Sequence, residues 1–594
     1  MRMIFFCIRL SILFLMLVVT CISQQKSVAA AEASLVLVVS GVEGELRENV
    51  EAALAIPRGL VRDGQINHLW LRRYVRQARQ KVRDALKPFG YYRAEVDAHL
   101  EEGPGQHFLL RALVQPGPPT NLEDVSIELT GPGRDEKVLQ QYVKESFPLV
   151  EGDVLRHDLY EKGKSQLADA AVDLGYIKAK FTTHIITVDP EIDRARLSLT
   201  LDTGPRYRFG RIVFPADSAY PERFLQRYLT FKSGDVFTYA ALGRTHSRLI
   251  DSDLFQNVAI FPRIETADES RVPIEILLKP KARRTLRPGV GYGTDTGARF
   301  SLLYRDINAW QIGHRFDTDL IIAEVRQSID FSYMFPHYRD IHSSTVIKGG
   351  FDREKTDSYI SRILFTEAEL VQSFGRGKRL SLYARLQRES YEVGLTDETS
   401  QLLIPGLRWS QRTYESPTRP LKGYHLGLEI RGTRKNYLSD TSLLQILGEA
   451  NVLIPLPGRV SVFLRGKGAT TRQEDEFEDI PASLRFFTGG DRSVRGFAYQ
   501  SLGPVDNAGN VVGGKHLLIG GIELERAVAE KWGLAVFYDT GNAFNTLSDY
   551  ELARAAGIGL HWYTLIGPIK IDVARQLSVT DPSYRLHLSV GFAW

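Results

Sequence analysis

The chain has 594 residues, of which 43% are hydrophobic and 25% charged, with two cysteines and a formal net charge of +4. That length exceeds one ordinary domain, so at least two folding units are expected. Three of the positive charges, Arg2, Arg9 and Lys26, lie in the first 31 residues, and the near-neutral remainder has no basic stripe to offer a nucleic acid.

Residues 1–31 read as a secretory signal peptide. Arg2 and Arg9 give a short positive segment, Leu10 to Ile22 is an apolar run, and Ala29-Ala30-Ala31 supplies small residues for cleavage. Cleavage is expected after Ala31, with Ala33 as the alternative. The bulky Val18-Val19-Thr20 makes Cys21 a poor lipid-attachment site. Both cysteines, Cys7 and Cys21, fall in this leader. A mature chain without thiols suits an oxidising compartment and excludes cysteine catalysis and cysteine metal sites. Glu32 to Gly41 does not read as a plug helix.

From about Ser34 to Pro280, helical and short extended segments alternate. Lys81 to Leu86, with Val75 and Ala78 before it, has helical spacing and ends at Pro88. An internal repeat follows: Glu151-Gly152-Asp153-Val154 recurs as Ser233-Gly234-Asp235-Val236, 82 residues on. Each copy precedes a helix, and the two helices end in Leu174-Gly175-Tyr176 and Asp253-Leu254-Phe255. Phe89-Gly90-Tyr91 repeats the first of these endings 85 residues earlier. Gly117-Pro118 and Gly204-Pro205 each stand shortly before a strand. A period of about eighty residues is too long for a solenoid and suits small α/β domains in tandem. Three are expected, at 32–117, 118–205 and 206–281, each running strand, two helices, two strands. Their open sheet edges could accept another chain, or they could be plain spacers.

The remainder, 282–594, changes character. No long apolar run is present, so no membrane helix is available. Instead Ile329, Phe331, Tyr333 and Phe335 alternate with Asp330, Ser332 and Met334. Leu380, Leu382, Ala384 and Leu386 alternate with Arg379, Ser381, Tyr383 and Arg385. Tyr424, Leu426, Leu428 and Ile430 do the same. One lipid-compatible face and one wet face is what a transmembrane barrel with a polar lumen needs. Length allows roughly sixteen strands of about ten residues, with fourteen and eighteen left open. The first strand, placed around Arg287 to Arg299, carries Gly289, Gly291, Gly293 and Gly297. The last keeps period two to the terminus, with Tyr584, Leu586, Leu588, Val590, Phe592 and Trp594 on one face.

Between these strands, Thr488-Gly489-Gly490-Asp491-Arg492-Ser493-Val494-Arg495-Gly496-Phe497 reads as a tight-turning loop. Phe537-Tyr538-Asp539-Thr540-Gly541 lies on a strand with Asp539 opposite Tyr538, and Glu523 sits between Ile522 and Leu524. Two lumenal acids need a cation, and an inward-folded Arg495 would supply a forked one. Enzyme look-alikes fail on context. Gly289-Val290-Gly291-Tyr292-Gly293 precedes a strand, not a helix, and Gly163-Lys164-Ser165 has Asp158 where a phosphate loop needs glycine. The histidines show no ligand spacing. No catalytic site, cofactor or metal is expected.

The Val494-Arg495-Gly496-Phe497 loop, the Phe537 to Gly541 strand, the aromatic terminal strand and the tandem domains together resemble the Omp85 superfamily, with polypeptide-transport-associated (POTRA) domains ahead of its barrel. Three such domains are most similar to the outer-membrane subunit of the translocation and assembly module (TamA-like). The resemblance implies a sixteen-stranded barrel with Arg495 contacting Asp539 and Glu523, Glu525 being the alternative to the latter. It implies a Gram-negative outer-membrane location, periplasmic N-terminal domains, autotransporter-type client barrels and an inner-membrane-anchored, periplasm-spanning (TamB-like) partner. Strand exchange is expected at a weak seam between Gly289, Gly291, Gly293 and Leu588, Val590, Phe592, Trp594, because glycine weakens a strand. The alternatives are a secretion pore for one exoprotein and a role in moving phospholipid.

Overall fold

The computed structural model describes residues 34–590 apart from 63–64, 105–106, 216–217, 415–421, 549 and 565–566. The leader with its cleavage site, and seam residues Phe592 and Trp594, lie outside the described residues. Three small α/β units precede a closed barrel of sixteen antiparallel strands. Their three-stranded sheets run 34–40, 107–115, 95–102, then 121–130, 194–202, 180–189, and 255–262, 271–280, 208–213. By packing the chain forms two compact units. One takes residues up to 212 with 231–243 and 262–274, and the other 213–230, 244–261 and 275 onward.

In the first unit, the helix His68–Leu86 starts where the Asn67 side chain accepts the backbone N–H groups of Leu69 and Trp70 at 3.1 and 3.2 Å. Leu71, Tyr74, Ala78 and Val82 recur at helical spacing and bury one face against Leu110 and Ala112 of the sheet. A short 3₁₀ turn at Lys87–Phe89 follows, and Gly90 ends it with φ 88°. The segment after the leader, which does not read as a plug helix, is a strand, Ser34–Ser40, paired in parallel with His107–Gln115.

The sequence repeat has a physical basis. Gly152 and Gly234 both take positive φ, 92° and 94°. Asp153 and Asp235 each accept the backbone N–H three residues earlier, at 2.9 and 2.8 Å. Val154 and Val236 then bridge to Asn121 and Arg208, at the start of each domain's first strand. The helix-ending glycines serve the next domain. The Gly90 carbonyl accepts the Thr120 N–H and the Gly175 carbonyl accepts the Tyr207 N–H, both at 2.8 Å. A Cβ on Gly90 would meet Val154 Cγ1 at 2.9 Å, and one on Gly175 would meet Val236 Cγ1 at 2.7 Å. The repeat is therefore a joint between consecutive domains.

In the second unit each barrel strand pairs with its sequence neighbour, and alternation sets what faces where. Along Trp532–Phe544, Ala535, Phe537 and Asp539 are buried while Leu534, Val536 and Tyr538 stand outward. Trp532 and Trp562 are register partners on the outer face, stacked at 5.4 Å. No helix among the described residues is long and apolar enough to cross a membrane. One sequence expectation is corrected. Arg287 to Arg299 is not one strand but a hairpin: Arg284–Gly293 ends the first strand, and Gly297, at φ 68°, opens the second, Gly297–Ala309. A glycine in the left-handed region turns the chain there.

Candidate functional site

The segment between strands Val460–Gln473 and His516–Ala529 folds inward along the last five strands of the barrel. Gly489 and Gly490, with φ 105° and 102°, make the turn. Val494 and Phe497 then pack on Ala553 and Ala555 of the wall. Burial of these two side chains carries Arg495 between them into the lumen.

Arg495 is 5% exposed. Its Nε and a terminal nitrogen donate to the two oxygens of Asp539 at 2.7 and 3.2 Å, and its other terminal nitrogen donates to Glu523 at 2.6 Å and Asp572 at 3.1 Å. The guanidinium lies 3.4 Å from the centre of the Phe537 ring. Burial works against the charge. Bonding to Asp539, and then the charges of Asp539, Glu523 and Asp572, more than reverse that, so Arg495 is held above the ordinary arginine range. Asp539 is fully buried and also pairs with Arg465 at 2.7 Å. Arg465 in turn donates to the loop carbonyls of Asp491 and Ser493 at 3.1 and 2.8 Å.

Glu525 faces the lumen too, but it accepts from Tyr563 at 2.8 Å and pairs with His561 at 2.6 Å, leaving Glu523 for Arg495. Asp572, Arg465, His561 and His587 were not singled out in the sequence. Asp572 was within reach of the same alternation argument, since Ile571 and Val573 flank it as Ile522 and Leu524 flank Glu523. His587 stood on the polar face of the last strand but carries no spacing motif. It accepts the Gly496 N–H through Nε2 at 2.9 Å and bonds Asp491 through Nδ1. Gly496, at φ 96°, lies against the wall, where a Cβ would sit 3.2 Å from Ala555 Cβ.

Two groups have the composition of metal sites, Asp295 with Asp491 and His587, and Glu523 with Glu525 and His561. Neither presents a free nitrogen lone pair. With Nε2 of His587 accepting from Gly496, its Nδ1 carries the hydrogen that goes to Asp491. His561 has a carboxylate at each nitrogen, Glu525 at 2.6 Å and Asp572 at 3.2 Å, and so acts as a bridge between acids. The arrangement is a clamp, in which Asp539, Glu523 and Asp572 are engaged by Arg495.

The same loop reaches both sides of the barrel closure. Asp491 N–H donates to Asp295, in the turn after the first strand, at 2.6 Å, while Asp491 and Gly496 hold His587 of the last strand. Among the described residues only Tyr292–Val590 and Gly293–Ser589 pair across the closure, with the Thr294 N–H reaching the Leu588 carbonyl at 3.0 Å. The first strand makes ten pairs with the second, and the last makes seven with its predecessor. Gly289, Gly291 and Gly293 take lumenal positions, alternating with outward Val290 and Tyr292.

Residues 312–594 match the Omp85 superfamily domain, and residues 36–116 match the POTRA domain TamA domain 1. The outer membrane protein assembly factor BamA of Nitratidesulfovibrio vulgaris is 21% identical over 509 residues, 81% of this chain and 62% of that one. BamA of Buchnera aphidicola is 25% identical over 170 residues, 28% and 27% of the two chains. This chain thus spans less than two thirds of either relative. The crystal structure of Haemophilus ducreyi BamA lacking POTRA domains 1–3 superposes with a TM-score of 0.63 at 18% identity, covering 79% of this chain and 99% of that one.

Proposed function

We propose that this chain, whose residues 312–594 match the Omp85 superfamily domain and whose residues 36–116 match the POTRA domain TamA domain 1, is an outer-membrane assembly factor that inserts or translocates client β-barrels by strand exchange at its closure. The observation that carries this reading is the glycine-bearing first strand at the closure, where Gly289, Gly291 and Gly293 alternate along the strand and Gly293 pairs with Ser589 of the last strand. Opening the closure exposes backbone groups to lipid, where each unpaired group is costly, and a client strand would satisfy them by augmentation. The inward loop supports this over a plain diffusion pore, since Val494, Arg495 and Phe497 occupy the lumenal wall. Autotransporters are the proposed clients. The N-terminal domains are proposed to lie in the periplasm and to hold an inner-membrane-anchored, periplasm-spanning (TamB-like) partner. No bond-making chemistry is proposed for the clamp, because Asp539, Glu523 and Asp572 are held in ion pairs with Arg495. Depleting the protein and quantifying outer-membrane proteins tests the reading. Selective loss of surface-exposed autotransporters is expected, and an unchanged protein profile would sink it.

A further inference from the structure

The lumen also contains a cavity of about 1000 Å³ that the clamp does not use. Lumenal positions of the first eight barrel strands line it, together with residues of 224–228 and 248–256, all within the second compact unit. Nine Lys or Arg side chains face it against three Asp or Glu. The whole chain carries only +4, so this surplus of six is a local feature of one wall. Part of it is neutralised. Arg305 and Arg315 share Asp317 at 2.6 Å each, Lys348 holds Glu367 at 2.9 Å and Glu369 at 2.6 Å, Arg408 pairs with Glu429 at 3.3 Å, and Lys281 pairs with Asp253. Arg248, Arg287 and Arg379 have no carboxylate within ion-pair distance among the described residues. Arg227 directs one nitrogen to the Asp340 carbonyl at 3.4 Å, while its buried Nε has no hydrogen-bond partner. Burial pushes the Arg227 guanidinium below the ordinary arginine range.

Like charges gathered in a cavity repel more strongly than in water, and they persist at low cost only with a counter-ion. Seven of the nine cations are arginines, whose planar forks suit multidentate oxyanions. Ser332, Ser344, Ser381 and Ser410 add hydroxyl donors on the same wall. The volume is that of a small-ligand site, on the order of 300–1,000 Å³, and is too small for a folded client. We propose that this chamber is a binding site for a phosphate-type oxyanion, from a lipid headgroup or from free phosphate. The site stands apart from the strand-exchange reading and could exist without it.

The test uses the full-length protein in non-ionic detergent. Inorganic phosphate, dihexanoylphosphatidylglycerol and a ten-residue glutamate peptide are titrated calorimetrically against wild type, Arg287→Gln/Arg379→Gln and Arg248→Gln, each variant first checked for heat-modifiable migration. Neither Arg287 nor Arg379 has a carboxylate partner to strand, so the double variant should fold, and Arg248→Gln gives an independent removal of charge. Saturable phosphate or phosphatidylglycerol binding is expected, at least about tenfold weaker in the double variant and falling with added salt. Binding of the lipid with much weaker binding of phosphate assigns the headgroup, and equal binding assigns the phosphate group alone. No binding of either, or binding that neither variant changes, overturns the proposal. Tighter binding of the peptide through the same arginines would also overturn it, in favour of an acidic client segment.

Discussion

Asp539 engages Arg495 through both of its carboxylate oxygens, at 2.7 and 3.2 Å, while being fully buried and shared with Arg465. The sharing makes the two partners unequal. Arg495→Ala leaves Asp539 paired with Arg465 but releases the loop, so a heat-modifiable barrel should remain, with the 485–515 segment newly open to protease. Asp539→Ala leaves Arg495 with Glu523 and Asp572 but takes from Arg465 its carboxylate partner. Breaking a buried pair typically costs about 3–5 kcal/mol, so this variant should be the less stable of the two. Arg495→Lys should behave like Ala, because an ammonium cannot reach Asp539, Glu523 and Asp572 from one planar fork. Thermal migration shifts and limited proteolysis check the order, and equal stability of Arg495→Ala and Asp539→Ala would contradict it.

The joint between consecutive small domains gives a second expectation. Gly175 combines φ 94° with a Cβ position 2.7 Å from Val236 Cγ1. Gly175→Val should cost about 1–3 kcal/mol in backbone strain before the clash is counted. Cleavage by protease near Gly204-Pro205 should therefore accelerate several-fold over wild type. Gly152→Val, at a positive φ but with open space around its Cβ, separates strain from clash, since it should not loosen the joint as much.

Period-two alternation and the repeated Gly-Asp-Val were legible because each reports a local rule: one face per sheet side, one turn per domain. Arg495, Asp539 and Glu523 were legible for a related reason, as buried charges must find partners and alternation says which acids face inward. The rest of the clamp was not. His587 and Asp491 lie 96 residues apart and meet only through barrel closure, a long-range event that no local spacing encodes. The hairpin at Gly293–Gly297 was misread as one strand because glycine marks both a weak strand and a turn. The charge of the lumenal chamber was invisible for the opposite reason. Five of its arginines are single lumenal positions on separate strands, and Arg227 and Arg248 lie outside the barrel strands, each reading alone as an ordinary polar residue.

Glycine positions at the seam can be told apart. A Cβ on Gly291 would meet the Val590 carbonyl oxygen at 2.7 Å, across the closure. One on Gly289 would meet only the Ser301 hydroxyl, inside the first hairpin. Gly291→Ala should weaken closure, with overpacking costs of about 1–3 kcal/mol, and lower the temperature at which the barrel unfolds on gels. Gly289→Ala should shift it less, because a serine hydroxyl can rotate away. The reverse order would mean that the seam is not where the barrel gives way first.

The closure also offers a direct test of strand exchange. Tyr292 and Val590 are register partners in the antiparallel closure. Such partners have Cα atoms roughly 4.5–5.5 Å apart, inside the span a disulfide bridges. Both native cysteines lie at positions 7 and 21, far in sequence from either strand, so Cys7→Ser/Cys21→Ser removes any competing thiol. In that background, Tyr292→Cys with Val590→Cys should oxidise efficiently, whereas Val290→Cys with Val590→Cys, two residues out of register, should not. The crosslink joins residues already paired, so the locked barrel should keep its heat-modifiable migration and its clamp. It should lose insertion of client barrels into liposomes, and a reductant should restore it. Because the loop also bonds Asp295 and His587 on either side of the closure, Arg495→Ala in the locked background should not recover activity. Full client insertion by a completely crosslinked sample would show that clients do not pass through an opened seam, and would favour passage through the lumen.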